Sequence, residues 1–300
     1  MILVILINAL FSLVFPLGQI ALRSCPPFFI IGLRMLLGGT LLLGYWLLRG
    51  EKQAFTKSFI WHVFLLGVFN IYLTNAFEFW GLQYMTSAKT CFLYNLSPFF
   101  SAFFAYLHFG ERMTYKKWLG LGLSFAGFIP IMLTPSCGEL DLTRVGFIST
   151  AELALIIATM ASVYGWIIMQ DIVRHKQWDS TLANGLSMVL GGLLSYGHSL
   201  LSEAWNPTPV LSWWPFLGIV IVITLISNIF CYSAYAYSLR RYTATFMAFS
   251  GLMGPFFAAL YDWLFFGIAV SGHFYIATVL VAAGVYLFYH EELRQGYMIS

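Results

Sequence analysis

Long apolar runs separated by short polar links dominate the sequence. Each run is about 20 residues long, which lets an α-helix cross a ~30 Å hydrocarbon core at 1.5 Å per residue. Helix-breaking prolines and polar residues gather in the links, as at residues 24–27 and 206–209. The pattern therefore predicts ten membrane-spanning helices, at about residues 2–22, 27–48, 58–80, 84–108, 117–135, 146–170, 180–202, 212–239, 243–267 and 270–289.

Composition supports an all-α polytopic membrane protein. Of the 300 residues, 60% are hydrophobic and 9% are charged, whereas an average soluble domain has ~25% charged residues. So few charges cannot cover a water-soluble surface, and no polar stretch is long enough for a separate soluble domain. The first apolar run has no basic leader or cleavage signal before or after it, so we expect a retained helix. The net charge of +3 is spread over short links, which gives no nucleic-acid signature.

The basic residues predict the orientation. Eleven lie in alternate links or near the C-terminus, at what we name the basic end of the bundle: Arg49, Lys52, Lys57, Arg112, Lys116, Lys117, Arg174, Lys176, Arg240, Arg241 and Arg294. The links at the opposite end carry only Arg23 and Arg144. By the positive-inside rule, the basic end and both termini face the cytoplasm. The expected location is a cell membrane, and a bacterial inner membrane in particular.

The second half of the chain repeats features of the first. The matches, 153 to 158 residues apart, are Gly38-Gly39 with Gly191-Gly192, Asn70 with Asn228, Pro98-Phe99-Phe100 with Pro255-Phe256-Phe257, and Gly110 with Gly267. Five spans per copy is an odd number, so the second copy must enter the membrane from the other side. The predicted organisation is a first five-helix repeat at 1–135, a linker at 136–145, a second, inverted repeat at 146–290, and a cytoplasmic tail at 291–300. Substrate sites in such architectures lie near the midplane between the repeats. Pro98 and Pro255 each remove a mid-span hydrogen bond, so we expect paired hinges there.

The segment 81–133 carries a resemblance to a known family. Its features are Ser97-Pro98 within a span, Gly110-Glu111-Arg112 in the next link, and the glycines from Gly120 to Gly127. It resembles the EamA repeat of the drug/metabolite transporter superfamily, and Leu33-Arg34 is also similar to that family's pattern. The second copy departs from it, with Ile268 and Ala269 where the first has Glu111 and Arg112. The resemblance implies a ten-helix carrier with inverted repeats and a central cavity. Family substrates span amino acids, nucleotide sugars, drugs and S-adenosylmethionine, and the direction of transport varies.

Five ionisable side chains lie inside the predicted spans: Arg34, Glu78, Lys89, Glu152 and Asp262. A charge at the helix centre costs about 2.5–3.5 kcal/mol, so such residues usually face a cavity or one another. All five fall in the half of the membrane nearer the opposite end, and none has a charged counterpart in the other copy. We expect a polar substrate site or gate there, with Glu78 the strongest candidate and Lys89 its expected direct partner.

Structural explanations stay open for several of these residues. Asp262 could reach the lipid headgroups, and Glu152 could be favoured by the helix dipole alone. Arg34 and Lys89 have stems long enough to snorkel. The uncharged residues Thr90, Tyr94, Ser97 and Ser101 share one helical face, and Asn70, Asn75 and Asn228 are further cavity candidates, but interhelical hydrogen bonds explain them equally well.

A few aromatic and titratable residues complete the candidates. Most aromatic residues fit lipid-facing packing or interfacial belts. Tyr164, Trp166, Tyr232 and Tyr235 are the ones that we expect could stack on a substrate ring. His62, His108 and His198 lie near span ends and are candidates for coupling to a proton. Whether Cys25 and Cys137 pair is open.

The function that these features favour is secondary transport. The sequence has no metalloprotease, phosphate-loop or metal-spaced Cys/His motif, so we expect no catalytic residues, no metal and no cofactor. Two basic and three acidic intramembrane groups suit a zwitterion such as an amino acid or S-adenosylmethionine, moved by alternating access. An exporter of amphipathic drugs is the alternative, and a scaffold or receptor is a remoter one. A carrier needs a cavity bounded by both repeats, whereas a scaffold would be packed through. The coupling ion or counter-substrate and the oligomeric state stay open.

Overall fold

The computed structural model describes residues 2–85, 87–126, 144–145, 148–206, 208–267 and 273–297. Its helical segments are α1 (Ile2–Leu22), α2 (Pro27–Arg49), α3 (Lys57–Leu82), α4 (87–109), α5 (Tyr115–Ala126), α6 (Thr150–His175), α7 (Ser180–Ser202), α8 (Trp213–Ser238), α9 (Ala244–Phe266) and α10 (His273–Arg294). Two short strands precede α6, namely β1 (Arg144–Val145) and β2 (Ile148–Ser149), which pair antiparallel with Arg144 opposite Ser149.

The helices confirm the all-α polytopic class. Six of them, α1, α2, α3, α6, α8 and α9, are long and apolar enough to cross a membrane. The count of ten spans stays a prediction. Residues 127–143 lie outside the described residues. They include the part of the predicted span 117–135 after Ala126, most of the predicted linker 136–145, and Cys137. The helix α10 continues through Arg294, four residues into the predicted tail, and the tail at 291–300 stays a prediction.

Large apolar side chains cover the outside of the bundle. They include Leu41, Leu47, Ile60, Trp61, Leu107 and Leu201, all more than half exposed. An apolar exterior of this extent is unfavourable in water and matches a hydrocarbon environment. The bundle therefore presents a lipid-facing surface.

Four helices are interrupted, at related places in the two halves. The helix α3 widens to π-helical turns at Gly67–Leu73 and α8 at Thr224–Cys231. The helix α4 tightens to a 3₁₀ turn at Tyr94–Leu96 and α9 at Gly251–Met253, just before Pro98 and Pro255. Such mid-helix interruptions often mark functional positions. In each pair, the interruption of the second half starts 157 residues after that of the first half. The halves therefore share a backbone pattern as well as sequence matches.

Glycines bring the two halves into close contact. The helices α2 and α7 cross so closely that a Cβ on Gly39 would lie 2.9 Å from the carbonyl oxygen of Gly185. A Cβ on Gly38 would lie 2.7 Å from the Cβ of Asn228 in α8. Small residues at helix crossings give the van der Waals contact that replaces the hydrophobic effect in lipid. The glycine pairs noted in the sequence thus form one of the close contacts between the halves.

Candidate functional site

A cavity of about 150 Å³ lies in the centre of the bundle. Residues from α1 to α4 line one part of it, and residues from α6, α8 and α9 line the other. Both halves of the chain therefore bound the cavity. This is the arrangement expected of a carrier and differs from a scaffold packed through its centre.

Arg34 is the basic group of this cavity. It lines the cavity and is 1% exposed, and its Nη2 donates to Oδ1 of Asn75. The guanidinium carbon lies 4.6 Å from the ring centroid of Phe79. Within the described part of the chain, Nε and Nη1 have no hydrogen-bond partner. Buried donors without an acceptor are costly, so these two nitrogens are available to an acceptor that enters the cavity.

Glu78 is the acidic group of the same cavity. It lies one helical turn after Asn75 and accepts a hydrogen bond from the hydroxyl of Tyr94, which comes from the 3₁₀ turn of α4. Asn75 is oriented by donation from Nδ2 to the carbonyl oxygen of Ile71, 2.7 Å away. Predicted cavity residues Arg34, Asn75, Glu78 and Tyr94 are thus brought together. Ser97 and Ser101 extend the polar lining along α4.

Aromatic side chains from the second half form the facing wall. Trp166 of α6 stacks on Tyr235 of α8, with ring centroids 3.9 Å apart and planes 27° apart. Tyr232 lies 5.2 Å from Trp166, and Phe11 of α1 contacts Tyr232 edge-on at 5.8 Å. Three of the four aromatic candidates therefore line the cavity. The fourth, Tyr164, packs against Phe69 and Phe104.

The expected direct pair of Glu78 with Lys89 is wrong. Lys89 Nζ lies 3.2 Å from Oε1 of Glu152, whereas Glu78 is bonded to Tyr94. Lys89 and Tyr94 are five residues apart on α4, so they point about 140° apart around its axis. Only one of them can face α3. Glu152 also accepts from the Ser149 backbone N–H at 2.7 Å in the capping box that starts α6.

Four other predicted residues are not among the residues that line this cavity. Its described lining does not include Lys89, Thr90, Glu152 or Asp262, although Lys89, Thr90 and Asp262 are buried. Asn228 donates from Nδ2 to the carbonyl oxygen of Arg34 at 3.3 Å, so it supports the site from α8.

Sequence reasoning missed two lining residues of α1. Asn8 donates from Nδ2 to Ser250 Oγ at 3.0 Å, and Ser12 lies one turn later. Their spacing of four residues in an otherwise apolar helix is the signal that could have revealed them.

The histidines lie outside the described lining of the cavity. His62 contacts Asp171 at 3.1 Å, with Nε2 and Oδ2 as the contact atoms. His198 Nδ1 lies 2.9 Å from the hydroxyl of Tyr72. Their candidacy for proton coupling stays a prediction.

Comparison with known proteins identifies the family. The model of the EamA-like transporter family matches residues 1–133 and 149–290. The chain is 37% identical over 299 residues to the S-adenosylmethionine/S-adenosylhomocysteine transporter of Chlamydia muridarum, with coverage of 99% of this chain and 93% of that protein. The corresponding transporter of Chlamydia trachomatis serovar D is 36% identical, covering 99% and 91%.

More distant relatives have the same general character. The uncharacterized inner membrane transporter YedA of Escherichia coli K12 is 27% identical, over 94% of this chain and 92% of YedA. A solved crystal structure superposes with a TM-score of 0.69 over 97% of both chains at 18% identity, which shows a shared fold alone. The two-part match of the family model and the relatives that span nearly the whole chain lead to one conclusion: the protein belongs to the EamA-like transporter family.

Proposed function

We propose that this protein carries S-adenosylmethionine and S-adenosylhomocysteine across the membrane. The observation that carries the proposal is the composition of one cavity. The guanidinium of Arg34, whose Nε and Nη1 have no hydrogen-bond partner among the described residues, and the carboxylate of Glu78 face a stacked aromatic wall there. The names of the Chlamydia relatives point to the same pair of substrates.

Each part of S-adenosylmethionine has a complementary group in the cavity. The fork of the Arg34 guanidinium suits the carboxylate of the amino-acid moiety. The Glu78 carboxylate suits its ammonium group. The faces of Trp166, Tyr232 and Tyr235 suit the adenine ring by stacking and a sulfonium by cation–π attraction. S-adenosylhomocysteine lacks the sulfonium charge but keeps the other groups, so the same contacts suit both molecules. Sites for ligands of this size measure ~300–1,000 Å³, whereas the cavity measures about 150 Å³, so the proposal requires the cavity to widen during alternating access.

The alternative functions fit these observations less well. A site for an amphipathic drug needs apolar and aromatic surface but no buried charges. A buried pair of opposite charges is costly to keep in a membrane, so its presence favours a charged substrate. A scaffold would be packed through its centre, whereas both halves of this bundle line a polar cavity. Intramembrane charges that line such a cavity favour a zwitterionic substrate.

We further propose that transport uses alternating access of two inverted repeats, 1–135 and 146–290. The paired interruptions of α3 with α8 and of α4 with α9 support equivalent flexible points in the two halves. The basic end would face the cytoplasm of a bacterial inner membrane, with both termini on that side. This orientation rests on the asymmetry of Lys and Arg in the links.

Uptake of radiolabelled S-adenosylmethionine into proteoliposomes tests the substrate. We expect saturable uptake that S-adenosylhomocysteine inhibits strongly, since it shares the amino-acid and adenine groups. Methionine and adenosine should inhibit only weakly because each occupies one part of the cavity. Comparison of empty vesicles with vesicles preloaded with S-adenosylhomocysteine distinguishes exchange from uniport. Absence of saturable uptake in both kinds of vesicle would refute the proposal.

A further inference from the structure

The first part of α9 is a separate short helical segment at the basic end of the cavity. It runs from Ala244 to Ser250 and ends where the chain tightens to the 3₁₀ turn of Gly251–Met253. Ala244, Met247 and Ala248 of this segment line the cavity. The segment therefore forms part of the cavity wall and is bounded by an interruption in its helix.

Three side chains from three other elements hold the start of this segment. Gln170 at the end of α6 accepts a hydrogen bond from the backbone N–H of Ala244. Glu111, in the link between α4 and α5, accepts from Thr245 Oγ1 at 3.3 Å. Glu292 of α10 accepts from Oγ1 of Thr243, the N-cap residue, at 2.7 Å. We name Glu111, Gln170 and Glu292 the α9 clamp.

The clamp is internally connected and mostly buried. Gln170 Nε2 donates to Oε1 of Glu111 at 3.4 Å, and Lys117 of α5 forms an ion pair with Glu292. Gln170, Lys117 and Glu292 are at most 1% exposed, whereas Glu111 is half-buried and is the most exposed residue of the clamp. Polar groups buried in this way are stable only while all partners are in place.

The buried acidic groups of the clamp weaken its closed contacts, so the contacts can separate. Burial raises the pKa of Glu111, and the nearby negative charge of Glu292 raises it further, whereas Lys117 and the donors Gln170 and Thr245 act in the other direction. Two acidic groups thus share one buried ammonium group. Hydration of this end on opening would relieve the desolvation of Glu111.

We propose that the α9 clamp holds the cavity closed at the basic end and that substrate passes that end only when the clamp opens. All three contacts go to the first turn of one short segment, and the 3₁₀ turn lies at its other boundary. Loss of the clamp therefore frees the segment as a unit, without disruption of the rest of α9. The clamp residues are positioning residues, since the substrate contacts assigned above involve none of them. The inference rests on alternating access but not on the identity of the substrate.

Accessibility of Ala248→Cys tests the clamp without any substrate. A membrane-impermeant maleimide is added to vesicles of either orientation, and labelling at position 248 is read by peptide mass spectrometry, so the native cysteines can stay. Gln170→Leu removes the acceptor of Ala244, and the nearly isosteric Thr245→Val removes the donor to Glu111. Each should speed labelling from the basic end about fivefold, the factor that one net hydrogen bond provides.

The control is Glu291→Gln, which changes the acid next to Glu292. The carboxylate of Glu291 pairs with Lys116 at 3.8 Å, and we expect this change to leave labelling unaltered. Unchanged labelling in both clamp variants would overturn the proposal. An equal increase from both ends would also overturn it, because general loosening rather than a gate would then explain the result. Failure of S-adenosylmethionine uptake with an intact labelling pattern would refute only the proposed substrate.

Discussion

The two walls of the cavity come from opposite halves of a chain whose halves share their backbone features. The first half supplies the charged wall, formed by Arg34, Asn75, Glu78 and Tyr94. The second half supplies the aromatic wall, formed by Trp166, Tyr232 and Tyr235. Yet both halves contain a π-helical stretch, a 3₁₀ turn before a proline, and a glycine helix end with φ near 70°. The backbone pattern is shared, and the side chains that face the cavity differ.

Matched positions make the difference concrete. By the offsets of the sequence matches, Ser187 corresponds to Arg34, Ala236 to Glu78, and Gly251 to Tyr94. Each of these counterparts is uncharged and smaller. We propose that the shared features allow movement between helices and that the unshared side chains define what the cavity binds. We therefore expect changes to unshared cavity residues to affect the binding of the substrate most. Changes to shared features should affect the movement of both halves.

The largest expected effect is loss of the charged wall. We expect Glu78→Gln and Arg34→Gln each to lower kcat/KM for S-adenosylmethionine at least ~30-fold, because loss of one buried charged partner costs about 2–5 kcal/mol. Gln at position 78 keeps an acceptor for Tyr94, so the fold should be preserved. Initial rates of uptake in proteoliposomes measure the effect.

Asp262→Asn is the matched control for this prediction. Asp262 is also a buried intramembrane acid, at 2% exposed, but it lies outside the described cavity lining. We expect its replacement to leave KM unchanged. Equal losses in Glu78→Gln and Asp262→Asn would contradict the assignment of the charged wall.

A smaller effect is expected from the aromatic wall. Trp166→Leu removes the ring that stacks on Tyr235 at 3.9 Å, and stacking of a base on an aromatic ring provides about 1–3 kcal/mol. We expect KM for S-adenosylmethionine to rise about tenfold, in line with that range. Competition by adenosine should weaken in parallel, while competition by methionine should not change. Tyr164→Leu is the control, since Tyr164 packs against Phe69 and Phe104 instead. A selective loss of methionine competition would reverse the assignment of the two walls.

The sequence predicts the helices and the charged wall well, because both depend on simple physical limits. Span length follows from membrane thickness, and α1 and α7 have the predicted bounds. A charge inside a span usually faces a cavity or another charge, and both cases occur: Arg34 and Glu78 line the cavity, whereas Lys89 pairs with Glu152. Depth along a helix is therefore readable from the sequence.

The direction of a side chain around a helix is harder to predict. The 3₁₀ turn of α4 and the π-helical stretch of α3 change the rotation per residue, so faces that are continuous in an ideal helix shift. The partner of Lys89 depends on that rotation and on where α6 begins, which explains the missed contact with Glu152. Glu111 and Glu292 were overlooked because link residues and residues after a predicted span are expected to be hydrated, whereas tertiary contacts bury Glu292 completely.

The smallest expected effects concern the shared prolines, and they distinguish the two halves most finely. In each half the carbonyl oxygen of the residue four positions before the proline accepts a hydrogen bond from the backbone N–H just before the proline. The N–H of Ser97 donates to the carbonyl oxygen of Tyr94, and the N–H of Gly254 donates to that of Gly251. Pro98→Ala or Pro255→Ala restores an N–H that can bond to the same carbonyl in the ordinary α-helical pattern. Each replacement should therefore straighten its helix and slow transport.

The two proline variants should differ because of what the turn carries. Straightening of α4 moves Tyr94, whose hydroxyl holds Glu78, whereas the matching residue of α9 is Gly251, which has no side chain to displace. We expect Pro98→Ala to lower kcat about fivefold and to raise KM as well, since one net hydrogen bond at the site is worth about that factor. Pro255→Ala should lower kcat by a smaller factor and leave KM unchanged. Transport kinetics with matched protein amounts in the vesicles measure both variants. Equal changes in KM would mean that the turn of α4 acts only as a hinge and that Tyr94 does not position Glu78 for binding.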